Sequence, residues 1–378
     1  MKVSLSDEQA EIVRSIRKLF TRECPPSLVR EHQDPKADAK PASLWKHLAE
    51  SGVFGLALPM DVGGQDATLF DLGLVYEEGG RVLCPTIVYS TIEFGLVLSR
   101  LAPGDSRASE WLHKLATGDI LATVAIADPA DSSNVTPSIS AERRGSKWAL
   151  SGFVDFVPSA DVVDALLTTA RVKDTWGPGY DIAILLPREA ISARRRSTFA
   201  RDNQCRVDLN GVELGAANVF GEGKGLSHDD LRWTSNATTV LHCMDMIGGA
   251  QAVIDRTVAY TMDRHQFGRP IASFQAAQHH VANMHIAIDG ARLAVYQAAS
   301  RVGDGRIAER ETAIAKLKAN EAYKFATLTA HQLHGAMGLM VEFDLHLWSE
   351  RAKAMELRDG AWDTQIRRLA SALGLNAL

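Results

Sequence analysis

A chain of 378 residues with 46% apolar content can bury a sizeable core, enough for two or three domains. Its 41 Lys and Arg against 46 Asp and Glu give a formal charge of -5, spread without basic runs, which argues against nucleic-acid or anionic-membrane binding. No apolar stretch reaches membrane-spanning length, and the scattered Cys24, Cys84, Cys205 and Cys243 show no zinc or C-x-x-C spacing, so a reduced cytoplasmic setting is expected.

The first part of the chain reads as helical to about Ala116. Leu5, Ile12, Ile16 and Phe20 recur behind Ser6, an N-cap candidate followed by Asp7, Glu8 and Gln9, and the basic, apolar opening of a secretory signal is absent. Residues 25–41 are rich in Pro and charge and read as loop. Helices resume at Ser43, break at Val62, Gly63 and Gly64, and continue from Leu69 to Gly80.

Near Ile120 the periodicity changes. Residues 121–126, 148–150, 153–157, 163–169 and 182–186 are short, alternating or continuously apolar, and punctuated by Pro and Gly, which predicts a middle β-region ending near Val219 and Phe220. Gly221, Glu222, Gly223, Lys224 and Gly225 read as a hinge and not as a phosphate loop, because no Ser or Thr follows the Lys. Residues 231–375 are helical again, with breaks at 268–272, 303–305, 335–338 and 359–360, and no internal repeat.

Two breaks in this last region carry chemistry. Ala250, Val253, Ile254, Thr257 and Val258 mark the buried side of a long helix, whose end at Gly268 and Pro270 holds Arg264-His265-Gln266-Phe267-Gly268-Arg269. Two guanidinium groups and an aromatic ring suit a diphosphate with a flat ring beside it; the plainer alternative is a charged cap on a helical turn. Further on, His331-Gln332-Leu333-His334-Gly335-Ala336-Met337-Gly338 places two glycines in a helical run, where a backbone can approach a ligand. His331 and His334 lack a carboxylate or Cys at ligand spacing and read as packing or hydrogen-bonding groups.

The order A-Q at Ala250 and Gln251, then R-x-Q-F-G-R-P, then F-Q at Phe274 and Gln275, resembles the acyl-CoA dehydrogenase family, as do G-L-A-L-P before Gly63 and Gly64 and the Q-x-x-G segment at Gln332. The resemblance implies an α+β fold with an N-terminal helical domain (1–119), a middle β-domain (120–221) and a C-terminal four-helix-bundle domain (222–378). It implies that Arg264, Gln266, Phe267, Gln275, Gln332, Gly335 and Ala336 contact the adenosine-diphosphate half of an FAD bound mainly by a neighbouring subunit. Ala336 stands where the family has its second glycine.

Elsewhere the pattern departs from the family. The flavin-ring turn T-E-P-G-A-G-S-D corresponds to residues 127–134, where Ala127, Ala130, Asp131 and Ser132 replace the expected types and Ser133 survives as a cofactor contact; the W-I-T strand corresponds to Phe156, Val157 and Pro158. Ala127 has no hydroxyl, and Pro158 has no backbone N–H. The family's catalytic Glu in Y-E-G-T-x-Q-I aligns with Ala361, followed by Trp362, whose indole would fill substrate space. The alternative position for the Glu, before the A-Q segment, holds Thr238, with Thr239 beside it. No residue is therefore assigned as catalytic; Asp363 is the nearby carboxylate.

The expectation is a subunit of an FAD-dependent acyl-CoA dehydrogenase that acts on an acyl-CoA substrate with a homologous catalytic subunit, as in the α2β2 heterotetramers of actinobacterial steroid side-chain degradation, and passes electrons to an electron-transfer acceptor protein. A self-sufficient homotetramer using Asp363 and a non-catalytic scaffold are the alternatives.

Overall fold

The structure is a computed structural model describing residues 4–34, 37–38, 40–126, 128, 131, 134–173 and 179–375. Helices come first, strands follow, and helices return. Contacts divide the chain into two units that do not follow chain order: Met1–Val29, Leu69–Cys84 and Thr239–Leu378 form one, Arg30–Thr68 and Pro85–Thr238 the other.

The first unit is helical. Helix α1 (Asp7–Glu23) opens on a capping box, in which Ser6 Oγ accepts from the Gln9 N–H at 3.2 Å and Gln9 Oε1 accepts from the Ser6 N–H at 3.0 Å. Residues 25–41, expected as loop, contain a second helix, α2 (Pro26–His32): proline at its first turn needs no N–H partner and is preset for helical φ. Along the whole chain, counting both units, the remaining helices are α3 (Ala42–Glu50), α4 (Leu69–Arg81), α5 (Thr86–Leu101), α6 (Ser106–Ala116), α7 (His228–Asp263), α8 (Gln275–Gly303), α9 (Glu309–His334), α10 (Leu345–Leu357) and α11 (Trp362–Ala372), of which α3, α5 and α6 belong to the second unit.

Within this unit α4 and α7 approach at backbone distance. A Cβ at Gly248 would lie 1.8 Å from the Glu77 carbonyl oxygen, and one at Gly80 would lie 2.0 Å from that of Asp245, so neither position admits a side chain. Glu78 receives Arg17 through two hydrogen bonds of 2.7 and 2.6 Å, and Glu77 accepts from Arg292 Nε at 3.2 Å and the Tyr296 hydroxyl at 2.7 Å. Carboxylates taken from water into a helical core need such partners.

The second unit is built on strands β1 (Ala122–Ala125), β2 (Ile139–Arg144), β3 (Lys147–Ser151), β4 (Phe153–Pro158), β5 (Ala165–Val172), β6 (Tyr180–Pro187), β7 (Ala193–Arg196), β8 (Gln204–Asp208), β9 (Glu213–Gly215) and β10 (Val219–Phe220). Seven of them form a sheet in the order β10-β6-β5-β2-β3-β9 with β1 parallel to β5, while β4-β8-β7 form a smaller antiparallel sheet. Ala, Leu and Ile along β5 and β6 are buried on both faces, which is why those strands read as unbroken apolar runs. Strands β2, β7, β8 and β9 were not predicted: ISAERR and ARRR carry their charge on faces open to water. Thr91 on α5 anchors β1, its hydroxyl donating to the Ala122 carbonyl and accepting from the Ala122 N–H, both at 3.1 Å. Residues 221–225, expected as a hinge, make a closed turn: the Gly225 N–H reaches the Gly221 carbonyl at 2.8 Å, and the Leu226 N–H reaches that of Asp181 at 2.7 Å.

Candidate functional site

The break after α7 is a miniature hairpin. The helix ends at Asp263, and β11 (His265–Gln266) pairs antiparallel with β12 (Arg269–Pro270). Phe267 (φ 54°) and Gly268 (φ 76°) form the two-residue tip, both left-handed, as a turn matched to strand twist requires. The helix therefore stops before the Gly and Pro expected to stop it. The backbone of Arg264 is held on both sides, its N–H donating to the Tyr260 carbonyl at 2.8 Å and its carbonyl accepting from Ile271 at 2.9 Å.

That scaffold presents side chains to solvent. Phe267 is 92% exposed at a left-handed φ, an uncommon conformation for an aromatic residue. Arg264, Gln266 and Gln275 are exposed, and the Arg264 guanidinium has no ion-pair partner among the described residues. The Arg269 guanidinium lies 4.1 Å over the Phe274 ring, and Phe274 meets Phe267 edge-on at 6.2 Å. Cation and ring are thus held beside an open surface.

The second segment leaves α9 at Gly335 (φ 58°, ψ -140°), a backbone conformation reserved for glycine, with nothing within 4 Å of where a Cβ would stand. Gln332, Gly335 and Ala336 are exposed. Gly338 is not an open glycine: it is buried, and a Cβ there would lie 3.0 Å from His334 Cβ. His331 and His334 are packing groups, hydrogen-bonded to Ser349 and to the Ala330 carbonyl. No cluster of three or more His, Cys, Asp or Glu side chains among the described residues is arranged to hold a metal.

The turn before α11 holds no base at the expected position. Ala361 is the N-cap residue of α11, and Asp363 lies exposed in its first turn, where the helix dipole favours a carboxylate. Trp362, whose indole is expected to fill substrate space, is 57% exposed and not packed into a core. The Thr238 hydroxyl turns back to the Thr234 carbonyl of its own helix at 3.1 Å.

A carboxylate that the sequence reading passed over lies one turn earlier. Asp359 sits at φ 60° and accepts from His242 Nδ1 at 2.6 Å. Burial pushes this carboxyl up, but His242, Arg358 and Lys316 together more than reverse that and hold it well below the usual carboxylate range. Buried Gln365 closes the turn, its Nε2 donating to the Asp359 carbonyl at 2.5 Å. Nearby, fully buried Lys316 donates to Asn320 Oδ1 at 2.8 Å and to the Met355 carbonyl; burial lowers its pKa. Positive φ at Asp359 and a lone His in an apolar helix give too little local signal to be found in advance. Ala127 and Ser133 lie outside the described residues. Of the strand expected at the flavin ring, Phe156 is 61% exposed on a β-bulge at φ 53°, and Pro158 pairs with Gln204.

Residues 6–119 match the model of the acyl-CoA dehydrogenase N-terminal domain, and residues 231–374 that of the acyl-CoA dehydrogenase C-terminal domain. The chain belongs to the acyl-CoA dehydrogenase family. It is 28% identical to the probable acyl-CoA dehydrogenase YngJ of Bacillus subtilis over 98% of this chain and 99% of that protein. It is 27% identical to the acyl-CoA dehydrogenase IpdE2 of Mycolicibacterium smegmatis, covering 97% and 98%. Among solved structures, a variant of the Tcur3481-Tcur3483 steroid ACAD superimposes with a TM-score of 0.85 at 26% identity, covering 98% and 99%. The ChsE4-ChsE5 complex from Mycobacterium tuberculosis shares the fold, with a TM-score of 0.88 at 23% identity and full coverage of both chains.

The acyl-CoA dehydrogenases use FAD. The exposed cation and ring of the hairpin and the open face at Gly335 fit the diphosphate and adenine of such a cofactor. At the strand expected to face the flavin ring, Pro158 offers no N–H donor.

Proposed function

We propose that this chain is the base-lacking subunit of an FAD-dependent acyl-CoA dehydrogenase built from two kinds of homologous chain, and that it lends Arg264, Gln266, Phe267, Gln275, Gln332, Gly335 and Ala336 to an FAD cradled by its partner. The observation that carries this reading is the solvent-facing Phe267 tip, 92% exposed, beside Arg264, which makes no ion pair among the described residues. Leu339, Met340 and Val341 follow the second segment with 75%, 50% and 65% of their surface exposed, the kind of apolar patch that marks a partner-covered face.

FAD, when bound, supplies the hydride acceptor for α,β-desaturation. Proton removal next to the thioester carbonyl needs a carboxylate beside the ring, and Ala361 supplies none. Asp359 is engaged with His242, and Asp363 points to water, so the partner provides the base. Similarity to the Tcur3481-Tcur3483 steroid ACAD supports a steroid side-chain thioester as substrate, within an α2β2 assembly that passes electrons to an acceptor protein.

Expressed alone, the chain is expected to be colourless and inactive; co-expressed with its base-bearing homologue it is expected to co-purify as a yellow complex whose flavin content falls in Arg264→Ala and Phe267→Ala. A stoichiometric flavin spectrum with turnover from the lone chain would overturn the proposal.

A further inference from the structure

We infer that His334 is a positioning residue for the nucleotide-lending segment at Gln332 and Gly335, and that its imidazole makes that segment open in acid. The inference rests on the lending role proposed above, and deepens it with a built-in pH limit.

His334 is the last residue of α9 and is 3% exposed. Its ring stacks on Tyr260 from α7 at 4.3 Å and 22°, and lies 5.1 Å from the Phe343 ring. Nδ1 lies 2.7 Å from the Ala330 carbonyl, which can only accept, so Nδ1 carries the hydrogen and Nε2 keeps a bare lone pair. That Nε2 is buried without a hydrogen-bond partner. A Cβ at Gly338 would lie 3.0 Å from the His334 Cβ, and the Tyr260 hydroxyl donates to the His334 carbonyl at 3.4 Å, so the side chain and the main chain of the turn are held together.

Two further imidazoles repeat the arrangement. His331 Nε2 meets Ser349 Oγ at 2.7 Å, and His346 Nδ1 meets the Phe343 carbonyl at 2.9 Å, while the other nitrogen of each ring is buried without a partner. The charged groups around them are few. Arg256 on α7 lies 4.1 Å over Trp348, and Asp344 before α10 lies 4.0 Å from Arg256, where that cation already occupies it. A proton on His334 Nε2 would therefore stand beside the Tyr260 and Phe343 rings, with the His331 imidazole as a further disfavouring group. Burial holds both the His334 and His331 imidazoles below the ordinary histidine value of 6.5.

The sign follows from linkage. The closed segment favours the neutral ring, while the opened segment takes a proton near pH 6.5, so the open form binds more protons in the window just below that value. Stability of the segment is flat above the window and falls as pH drops through it. Opening the end of α9 releases Gly335 and its neighbours from the conformation offered to the nucleotide.

Hydrogen exchange of the full chain, expressed as protection corrected for intrinsic rate, tests this between about pH 7.5 and about pH 5.5. Protection over residues 331–343 is expected to fall by about tenfold or more, while β5 and β6 stay unchanged. His334→Phe keeps a ring in the cage without a titrating nitrogen, and its protection is expected to fall clearly less than that of wild type over the same range, the remainder being the share of His331. Tyr260→Ala, which opens the cage from the other side, is expected to move the transition upward toward pH 6.5. A flat wild-type profile, a His334→Phe profile that falls as far as the wild type, or an unmoved transition in Tyr260→Ala would each overturn the inference. Flavin retention by the co-purified complex over the same pH range separates the two readings: acid opening with no loss of flavin refutes the lending role, whereas acid opening with parallel loss supports both.

Discussion

Gly248 on α7 touches the carbonyl oxygen of Glu77 on α4 so closely that a Cβ would stand 1.8 Å from it. The contact brings the Glu77 side chain under Arg292 and Tyr296, and Arg292 Nη2 continues to Gln251 Oε1 at 2.8 Å. Gln251, part of the A-Q signature, then donates to Asp255 at 3.0 Å, and Asp255 accepts from Arg81 at 2.6 Å. The Gln of that signature is therefore a structural link between helices in this chain.

Gly248→Ala is expected to destabilise the chain by about 3 kcal/mol or more, since two backbones must part to admit a methyl group. Thermal unfolding measures this, and an unchanged melting temperature would show that the helices are not so closely packed.

Gln251→Ala is expected to cost about 1 to 2 kcal/mol, because it leaves Arg292 and Asp255 each short of a hydrogen bond. A double-mutant cycle with Arg292→Ala should show coupling; strict additivity would mean that the chain of bonds carries no shared energy.

Phe267→Ala should leave the stability of the lone chain within about 0.5 kcal/mol of wild type, because a ring so exposed contributes little to folding. In the co-purified complex the same variant is expected to lose flavin. An equal effect in both settings would assign the ring to the fold instead.

Asp359→Asn bears on acid stability. The native carboxyl is held below its ordinary value of 3.8, so the unfolded chain binds the proton first as pH falls; the stabilisation is full above that value and is lost as pH drops through the lower native one. Wild type should therefore lose stability below about pH 4 more steeply than the Asn variant, which starts lower at neutral pH because the carboxylate facing His242 is lost. Parallel curves in urea titrations at acid pH would exclude the pair as the source.

Asp363→Asn is expected to leave activity of the complex within about twofold, whereas loss of a working base costs orders of magnitude. A collapse in rate would favour the self-sufficient homotetramer.

Long helices and continuously apolar strands were legible because their periodicity repeats: α7, α8, β5 and β6 each offer many agreeing positions. Strands whose charges face water, such as β7 with three arginines, give no alternating signal. Helix α2 hid behind prolines that in fact start it. The hairpin tip escaped because Phe-Gly replaces the usual Asn-Gly at left-handed positions. The residues proposed to lend a cofactor surface could be named from motif spacing, and Phe267 is exposed as expected from its place in a polar turn. The His242 and Asp359 pair joins residues 117 positions apart, and no local pattern carries such a contact.

The interleaving of segments in the helical unit bears on how the protein is made. Glu77 meets Arg292 across 215 positions and Tyr296 across 219. While the ribosome is still adding the strands, α1 and α4 can already meet through Arg17 and Glu78, but α8, which receives Glu77, does not yet exist. Their apolar flanks must wait, shielded by chaperones or by one another, until α8 emerges, which makes the early nascent chain the stage most exposed to misassembly.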